Sequence, residues 1–367
     1  MKVDARKVQM VGYSTLSVSL PKDWVKQVGI KPGDIVSMIR LEDGSLKIKP
    51  GLVKEEGEKV SKIVHAESCD EAGLLGRITV ALYLTGVDRV ELVWPGNQPA
   101  PREALEEVKS AVERLNGFSI VEETPNRIVI QSFIDPASSP IWSLMRRLHS
   151  LAGRMMELME RALREWNAEV LGDVREAEEE ADRVYWLSVR QLILANTRPE
   201  LRGKLGVDNP IYITGYRTVV KLLEKIADFA FAAASELENI LRSRTKLTDP
   251  DVGLLLKYTE ESLSIYNRAF DSWAGKDPFK ANSITNNAES IERELRRAAV
   301  EIGNKYSGAG GRGDAALAFS LKSYLDNLSQ IVNFSGTVAE FAIVHSTIEP
   351  STLRCRVEDG SSTSGDA

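Results

Sequence analysis

The chain has 367 residues, of which 43% are hydrophobic and 27% charged, and its formal net charge is −6. This composition is ordinary for a soluble protein of two or three domains, and the acidic balance argues against a protein that coats nucleic acid indiscriminately. The sequence shows no run of eighteen apolar residues, no apolar signal-peptide core and no metal-type cysteine spacing, so we expect a cytoplasmic protein without an integral membrane segment.

The first fifty residues predict a small β-rich module. Leu16, Val18 and Leu20 alternate with hydroxyl-bearing residues, which is the period of a half-buried strand. A short helix and two further strands follow, and Asp43-Gly44 predicts the hairpin turn between those strands. So few large apolar side chains form only a marginal core, and we therefore expect the module to pair with a second copy.

The order of these motifs carries a family resemblance. A strand, Leu-Pro-Lys, a short helix, Gly-Ile-Lys-Pro-Gly-Asp, a strand, Asp-Gly and a last strand follow one another. This order resembles the swapped-hairpin domain of AbrB/SpoVT-type transcription factors and MazE-type antitoxins, over residues 1–50. The resemblance implies an interleaved homodimer that presents basic side chains to DNA. The DNA-binding residues that it implies are Arg6, Lys7 and Lys26. Lys22, beside the Leu-Pro corner, is a further candidate.

Charge in this module supports contacts with phosphate groups. The first fifty residues contain nine Lys or Arg and five Asp or Glu, a net charge of +4. A pair of modules would carry about +8, which suits DNA. The alternative to a DNA-binding surface is a solvated strand surface. In addition, Tyr13 and Val25 stand where the family often has arginine, so some of the expected basic charge is lost. Lys22 would replace part of that lost charge.

Residues 58–134 predict a small α/β sandwich with the order β-α-β-α-β-β, after a charged linker. Its glycines do not form a phosphate loop, because no lysine and hydroxyl residue follow at the required spacing. Nothing in this segment indicates catalysis. A spacer and a ligand-sensing module both remain open.

Residues 137–347 predict six helices in two sets of three. Ser139-Pro140, Asp249-Pro250 and Asp277-Pro278 are typical starts of helices. Short connections favour antiparallel neighbours, so the pattern predicts two three-helix bundles. The remaining residues, 348–367, predict a disordered tail. The whole chain is thus expected to be a multi-domain α+β protein.

Two of these helices carry acidic residues four positions apart, away from their apolar stripes: Glu178 with Asp182, and Glu224 with Asp228. Like charges at this spacing repel by about 0.2–0.5 kcal/mol, so such pairs are mildly unfavourable without a counter-charge. Two converging pairs would supply four hard oxygen ligands, which suit Mg, Mn, Fe or Ca ions. The alternative is that these pairs occur by chance on solvated helices of an acidic chain.

The same residues carry a second resemblance. Residues 223–230, Leu-Glu-Lys-Ile-Ala-Asp-Phe-Ala, resemble the Leu-Glu-Arg-Ile-Gly-Asp-His-Ala signature of PhoU proteins, and residues 178–182 resemble their acid-x-x-x-Asp motif. The resemblance covers residues 137–347 and implies tandem three-helix bundles, multinuclear metal clusters on the outer carboxylate faces, and a role in phosphate uptake. In the second repeat Ala288 and Gln330 replace expected acids. Only a weaker ligand set, Glu292 and Asp326, remains there.

Together the two resemblances are those of an archaeal-type phosphate uptake regulator. They predict a non-enzymatic, cytoplasmic, homodimeric transcriptional regulator that binds DNA through its first module and senses phosphate status through a PhoU-like body. The alternative is an adaptor that does not bind DNA and regulates a phosphate transporter or a signalling kinase by contact. A carboxylate metalloenzyme is disfavoured, because the paired acids face outward and lack the nearby histidines of di-iron bundle sites.

Overall fold

The computed structural model describes residues 4–40, 44–52, 59–96, 99–308 and 314–348. The chain divides into two compact units, Met1–Lys59 and Val60–Ala367. The predicted fold class is confirmed: a small β region comes first, a small sheet domain follows, and the rest is mostly helical.

The first unit consists of two antiparallel hairpins and one short helix. Strand β1 (Gln9–Val11) pairs with β2 (Thr15–Ser17), and β3 (Val36–Arg40) pairs with β4 (Leu46–Pro50). Helix α1 (Lys22–Val28) lies between the hairpins in sequence and ends at Gly29, which has the positive φ of 76° typical of a helix terminus. The predicted turn residue Asp43 lies outside the described residues.

The described residues of this unit form no buried core. None of its described residues is buried. Leu16 and Met38 keep 66% and 64% of their surface exposed, and other large apolar side chains of the unit are similarly open. So many exposed apolar side chains in one small unit are typical of a surface that another chain covers.

The second unit begins with a four-stranded sheet in the order β5-β6-β8-β7. Its elements are β5 (Ser61–His65), α2 (Leu74–Leu84), β6 (Arg89–Val93), α3 (Arg102–Glu113), β7 (Phe118–Thr124) and β8 (Arg127–Ser132). Strand β5 runs parallel to β6, and the other two pairings are antiparallel. Helix α2 begins at Leu74, since a short 3-10 turn and Gly73, at a φ of 78°, come before it.

Six long helices and one short helix form the remainder. They are α4 (Ile141–Glu165), α5 (Val174–Thr197), the short α6 (Pro199–Arg202), α7 (Tyr212–Arg242), α8 (Asp249–Ala274), α9 (Pro278–Ser307) and α10 (Ala315–Ile348). Helices α4, α5 and α7 pack together, as do α8, α9 and α10. Contacts between α7 and α10 and between α4 and α8 join both sets into one hydrophobic core. The predicted disordered tail, residues 348–367, lies outside the described residues except for Ile348.

By length and apolarity, helix α10 is the one described helix that could cross a membrane. In this fold it packs against α7, α8 and α9. Leu321, Leu325 and Leu328 of α10 are fully buried. Its apolar composition is therefore that of the central helix of a bundle core.

A buried arginine joins the sheet domain to the first bundle. Arg190 of α5 is only 2% exposed, and its guanidinium donates hydrogen bonds to the backbone carbonyl oxygens of Tyr83 and, at 3.2 Å, Val87. It also lies 3.4 Å from Asp88 Oδ1. A buried guanidinium is tolerated only when it is paired in this way, so these contacts fix the sheet domain on α5.

Candidate metal centre

Three carboxylates from two helices meet on the outside of the first bundle. Glu178 and Asp182 lie one turn apart on α5, and Asp228 reaches them from α7. One ligand oxygen from each lies within 4.8 Å of the other two. Residues four apart share a face of a helix, and the packing of α5 on α7 brings the third acid to that face. The structure thus brings together three of the four predicted metal ligands.

Glu224, the fourth predicted ligand, is not part of this group. It is buried, at 7% exposure, and both of its carboxylate oxygens accept hydrogen bonds of 2.7 Å from Lys221 Nζ. Lys225 Nζ lies 3.8 Å away. Burial raises the pKa of Glu224, and the hydrogen bond from Lys221 opposes this effect. Glu224 therefore serves as the partner of lysines on its own helix.

Two members of the carboxylate cluster have cationic partners. Asp182 Oδ2 accepts a hydrogen bond of 2.8 Å from Arg114 Nη2, and Asp228 Oδ2 accepts one of 2.6 Å from Lys225 Nζ. The bond to Asp228 is the main cause of the raised pKa of Lys225. These partners supply the counter-charge that the spacing of the acids requires.

Arg114 is a partner of the carboxylate cluster that the sequence did not reveal. It forms the carboxyl-terminal cap of α3 in the sheet domain and lies 68 positions from Asp182 in the chain. No local motif relates the two residues. Only the docking of the sheet domain on α5 places the guanidinium beside the cluster.

Glu178 has no salt bridge with another residue in the described part of the chain. Burial raises its pKa, and the negative charges of Asp182 and Asp228 raise it further. A bound cation would relieve the same repulsion. Three carboxylates without sulfur or imidazole form a donor set that fits hard divalent or iron-type cations. Glu178, Asp182 and Asp228 are thus the residues that would hold one.

The acids at the corresponding positions of the second repeat accept hydrogen bonds from neighbouring side chains. Glu292 of α9 accepts hydrogen bonds from Arg296, at 2.5 Å, and from Asn333, at 3.1 Å. Asp326 of α10 accepts one of 2.7 Å from Lys322. Among the described residues neither acid belongs to a group of three potential ligands. Ala288 is only 3% exposed, so a carboxylate at that position would point into the core.

The predicted DNA-binding residues all lie in the first unit and are exposed. Arg6 and Lys7 precede β1, and Arg6 lies 4.0 Å from Asp4. Lys22 and Lys26 lie four positions apart on α1 and share one face of that helix. Neither of these two lysines forms a salt bridge with another described residue, so both are available to an anionic partner.

Comparison with protein families gives two matches along the chain. Residues 9–56 match the family described as antidote-toxin recognition MazE, bacterial antitoxin. Residues 145–237 match the PhoU domain. Both resemblances predicted from the motifs are confirmed, and the PhoU match contains all three acids of the cluster. No curated protein and no solved structure matched the chain.

Proposed function

We propose that the protein is a cytoplasmic, homodimeric transcriptional regulator of phosphate uptake. The observation that carries this proposal is the presence of both matched families in one chain. A MazE/AbrB-type domain indicates DNA binding, and a PhoU domain indicates regulation of phosphate homeostasis. Both are regulatory rather than catalytic domains, so no enzymatic role is proposed.

Dimerisation is supported by the exposed apolar side chains of the first unit. As a single copy, this unit leaves residues such as Leu16 and Met38 in water. Burying such side chains against a second copy would stabilise the module, since each removes apolar surface from solvent. The pair would also bring two sets of basic residues together on one cationic surface.

Sensing is assigned to the helical body. In this proposal Glu178, Asp182 and Asp228 hold a divalent or iron-type cation. When bound, the cation would give an otherwise acidic face the positive charge that attracts a phosphate group. A rearrangement of the body would then change DNA binding by the first unit, as a coupling between two sites.

The test of DNA binding is a gel-shift titration of the full-length protein over a range of salt concentrations. We expect affinity to fall steeply with salt, because each phosphate contact releases counterions. A variant with glutamate at Arg6, Lys7 and Lys26 should lose binding. A matched variant reverses three exposed charges of the second unit and should bind normally: Lys204, Arg244 and Lys246.

The genomic targets are tested by co-precipitation of DNA from cells grown with and without phosphate. Enrichment of phosphate-uptake genes that changes with phosphate supply supports the regulator. An absence of DNA binding at low salt, together with an unchanged association with a transporter or kinase in the charge-reversal variant, would instead identify the adaptor.

A further inference from the structure

A cleft of about 380 Å³ lies between helices α2 and α3 of the sheet domain and helix α5 of the first bundle. Its surface is mostly apolar and includes Val80, Ala111 and Trp186. Two guanidinium groups, from Arg77 of α2 and Arg114 of α3, also line it. An apolar cleft of this size with a few convergent charged groups is typical of a site for a small molecule.

Close packing of α2 on α3 shapes the cleft. Gly76 is buried, and a Cβ atom at this position would lie 3.2 Å from the backbone carbonyl oxygen of Glu107. The carboxylate of Glu107 in turn accepts a hydrogen bond of 2.6 Å from the backbone N–H of Gly73. The acid that lines the cleft is therefore already engaged at the start of α2.

Trp186 forms the wall of the cleft on the side of the bundle. Its side chain packs against both hydrophobic cores, that of the sheet domain and that of the helical body. A side chain held between two cores keeps its orientation. It therefore offers a fixed aromatic surface on which a flat ligand can pack.

The two arginines differ in their engagement. Arg77 forms no salt bridge with any other described residue, and its guanidinium lies over Gly73. Arg114 is bound to Asp182 at 2.8 Å. The planar donor array of a guanidinium matches a carboxylate, sulfonate or phosphate group. The cleft therefore combines an apolar wall with two guanidinium groups. Arg77 has no salt bridge among the described residues, and Arg114 could exchange Asp182 for a bound anion.

We propose that this cleft binds a small organic anion, with an aromatic body on Trp186 and an acidic group between Arg77 and Arg114. One consequence rests on the proposed cation site. The guanidinium of Arg114 cannot form full ion pairs with the anion and with Asp182 at the same time. An anion that attracts Arg114 therefore frees Asp182 to bind a cation. Anion and cation would then bind with positive cooperativity, which linkage makes reciprocal.

The test uses 8-anilinonaphthalene-1-sulfonate, an aromatic sulfonate, as a fluorescent probe of the full-length protein in metal-free buffer. We expect Arg77→Gln and Arg114→Gln each to weaken saturable binding by roughly tenfold, the effect of losing one charge-assisted hydrogen bond. Arg102→Gln on the same helix α3 is the matched control and should bind as the wild type does. Ser110→Trp, at an exposed helical position on the cleft, should block binding without disturbing the core.

Because the first unit also exposes apolar side chains, the decisive readout is the difference between variants. Equal affinity of the wild type, Arg77→Gln and Ser110→Trp, with unchanged circular dichroism, would overturn the anion site. Excess Mg²⁺ should increase the affinity of the wild type for the probe but should not change the affinity of Arg114→Gln. If calorimetry shows that Mg²⁺ binds while probe affinity stays constant, the cooperativity is refuted. If Mg²⁺ does not bind, the cation site of the proposed function fails while the anion site stands.

Discussion

The interface between the sheet domain and the helical body offers the sharpest test of the fold. Arg190 donates hydrogen bonds to the carbonyl oxygens of Tyr83 and Val87 and faces Asp88. Burial lowers the pKa of this guanidinium, whose partners must offset its loss of water. Methionine at this position keeps the apolar stem but removes the donor to the Val87 carbonyl oxygen. It also removes one of two donors to the Tyr83 carbonyl oxygen, which keeps a hydrogen bond of 3.1 Å from the backbone N–H of Gly86.

These contacts determine how much Arg190→Met lowers the free energy of unfolding. Removing one partner of a buried ion pair costs about 3–5 kcal/mol, mostly because the remaining partner is left unpaired. Asp88 keeps a second cation, since Arg198 Nη2 lies 3.6 Å from its Oδ2. The low end of that range therefore applies, and we expect Arg190→Met to lower the free energy of unfolding by about 3 kcal/mol.

Urea unfolding followed by tryptophan fluorescence measures this loss, and hydrogen–deuterium exchange locates it. Exchange should accelerate in α2 and β6, the elements that flank the bonded carbonyls. Arg198→Met is the matched control, because Arg198 is partly exposed and donates at 3.2 Å to one carbonyl, that of Gly86. It should cost about 1 kcal/mol. A loss below about 1 kcal/mol in Arg190→Met would refute the view that this arginine fixes the two domains.

Four further outcomes are expected. Asp182→Asn should weaken Mn²⁺ binding by at least about tenfold in calorimetry, whereas Glu179→Gln, at an exposed position on the same helix, should not. Because the pKa of Glu178 is raised, Mn²⁺ affinity should fall with decreasing pH, beginning above the ordinary glutamate pKa of about 4.3; constant affinity down to about pH 5 would contradict this. Leu16→Asp should convert the proposed dimer to a monomer in analytical ultracentrifugation and abolish the proposed DNA binding, and a dimer that persists would count against the paired module. Burial lowers the pKa of His149 to about 4, so the unfolded chain takes up the proton first as pH falls below about 6.5. The wild type should therefore lose about 2 kcal/mol relative to His149→Phe between neutral pH and about pH 4.5, and equal acid sensitivity of both proteins would exclude this assignment.

Much of the fold could be predicted because its signals are local. Proline near the start of α8 and α9 and long amphipathic stretches are enough to place most of the six long helices. The start of α2 could not be read from the sequence, because Asp70, Glu71 and Ala72, between Cys69 and Gly73, suit a helix as well as a turn. Gly73 adopts a left-handed conformation, so the helix begins only after it.

The candidate site was predictable to the extent that it follows helical spacing. Four positions on a helix correspond to a rotation of about 40° from perfect alignment. Glu224 and Asp228 therefore need not point the same way, and only Asp228 faces the acids of α5. Lys221, three positions before Glu224, holds that carboxylate instead. Periodicity identified the helix face, whereas neighbouring charges selected the members of the cluster.

Arg114 differs from the lysines around the cluster in the domain from which it comes. Lys221 and Lys225 belong to α7 itself, so they move with the acids that they neutralise. Arg114 comes from another domain, whose position is fixed by contacts of its own at Arg190. A cation that takes Asp182 away from Arg114 therefore competes with a contact between domains. That competition would give a cation at the proposed site a direct physical route to the sheet domain, which a cluster neutralised only by its own helix would lack.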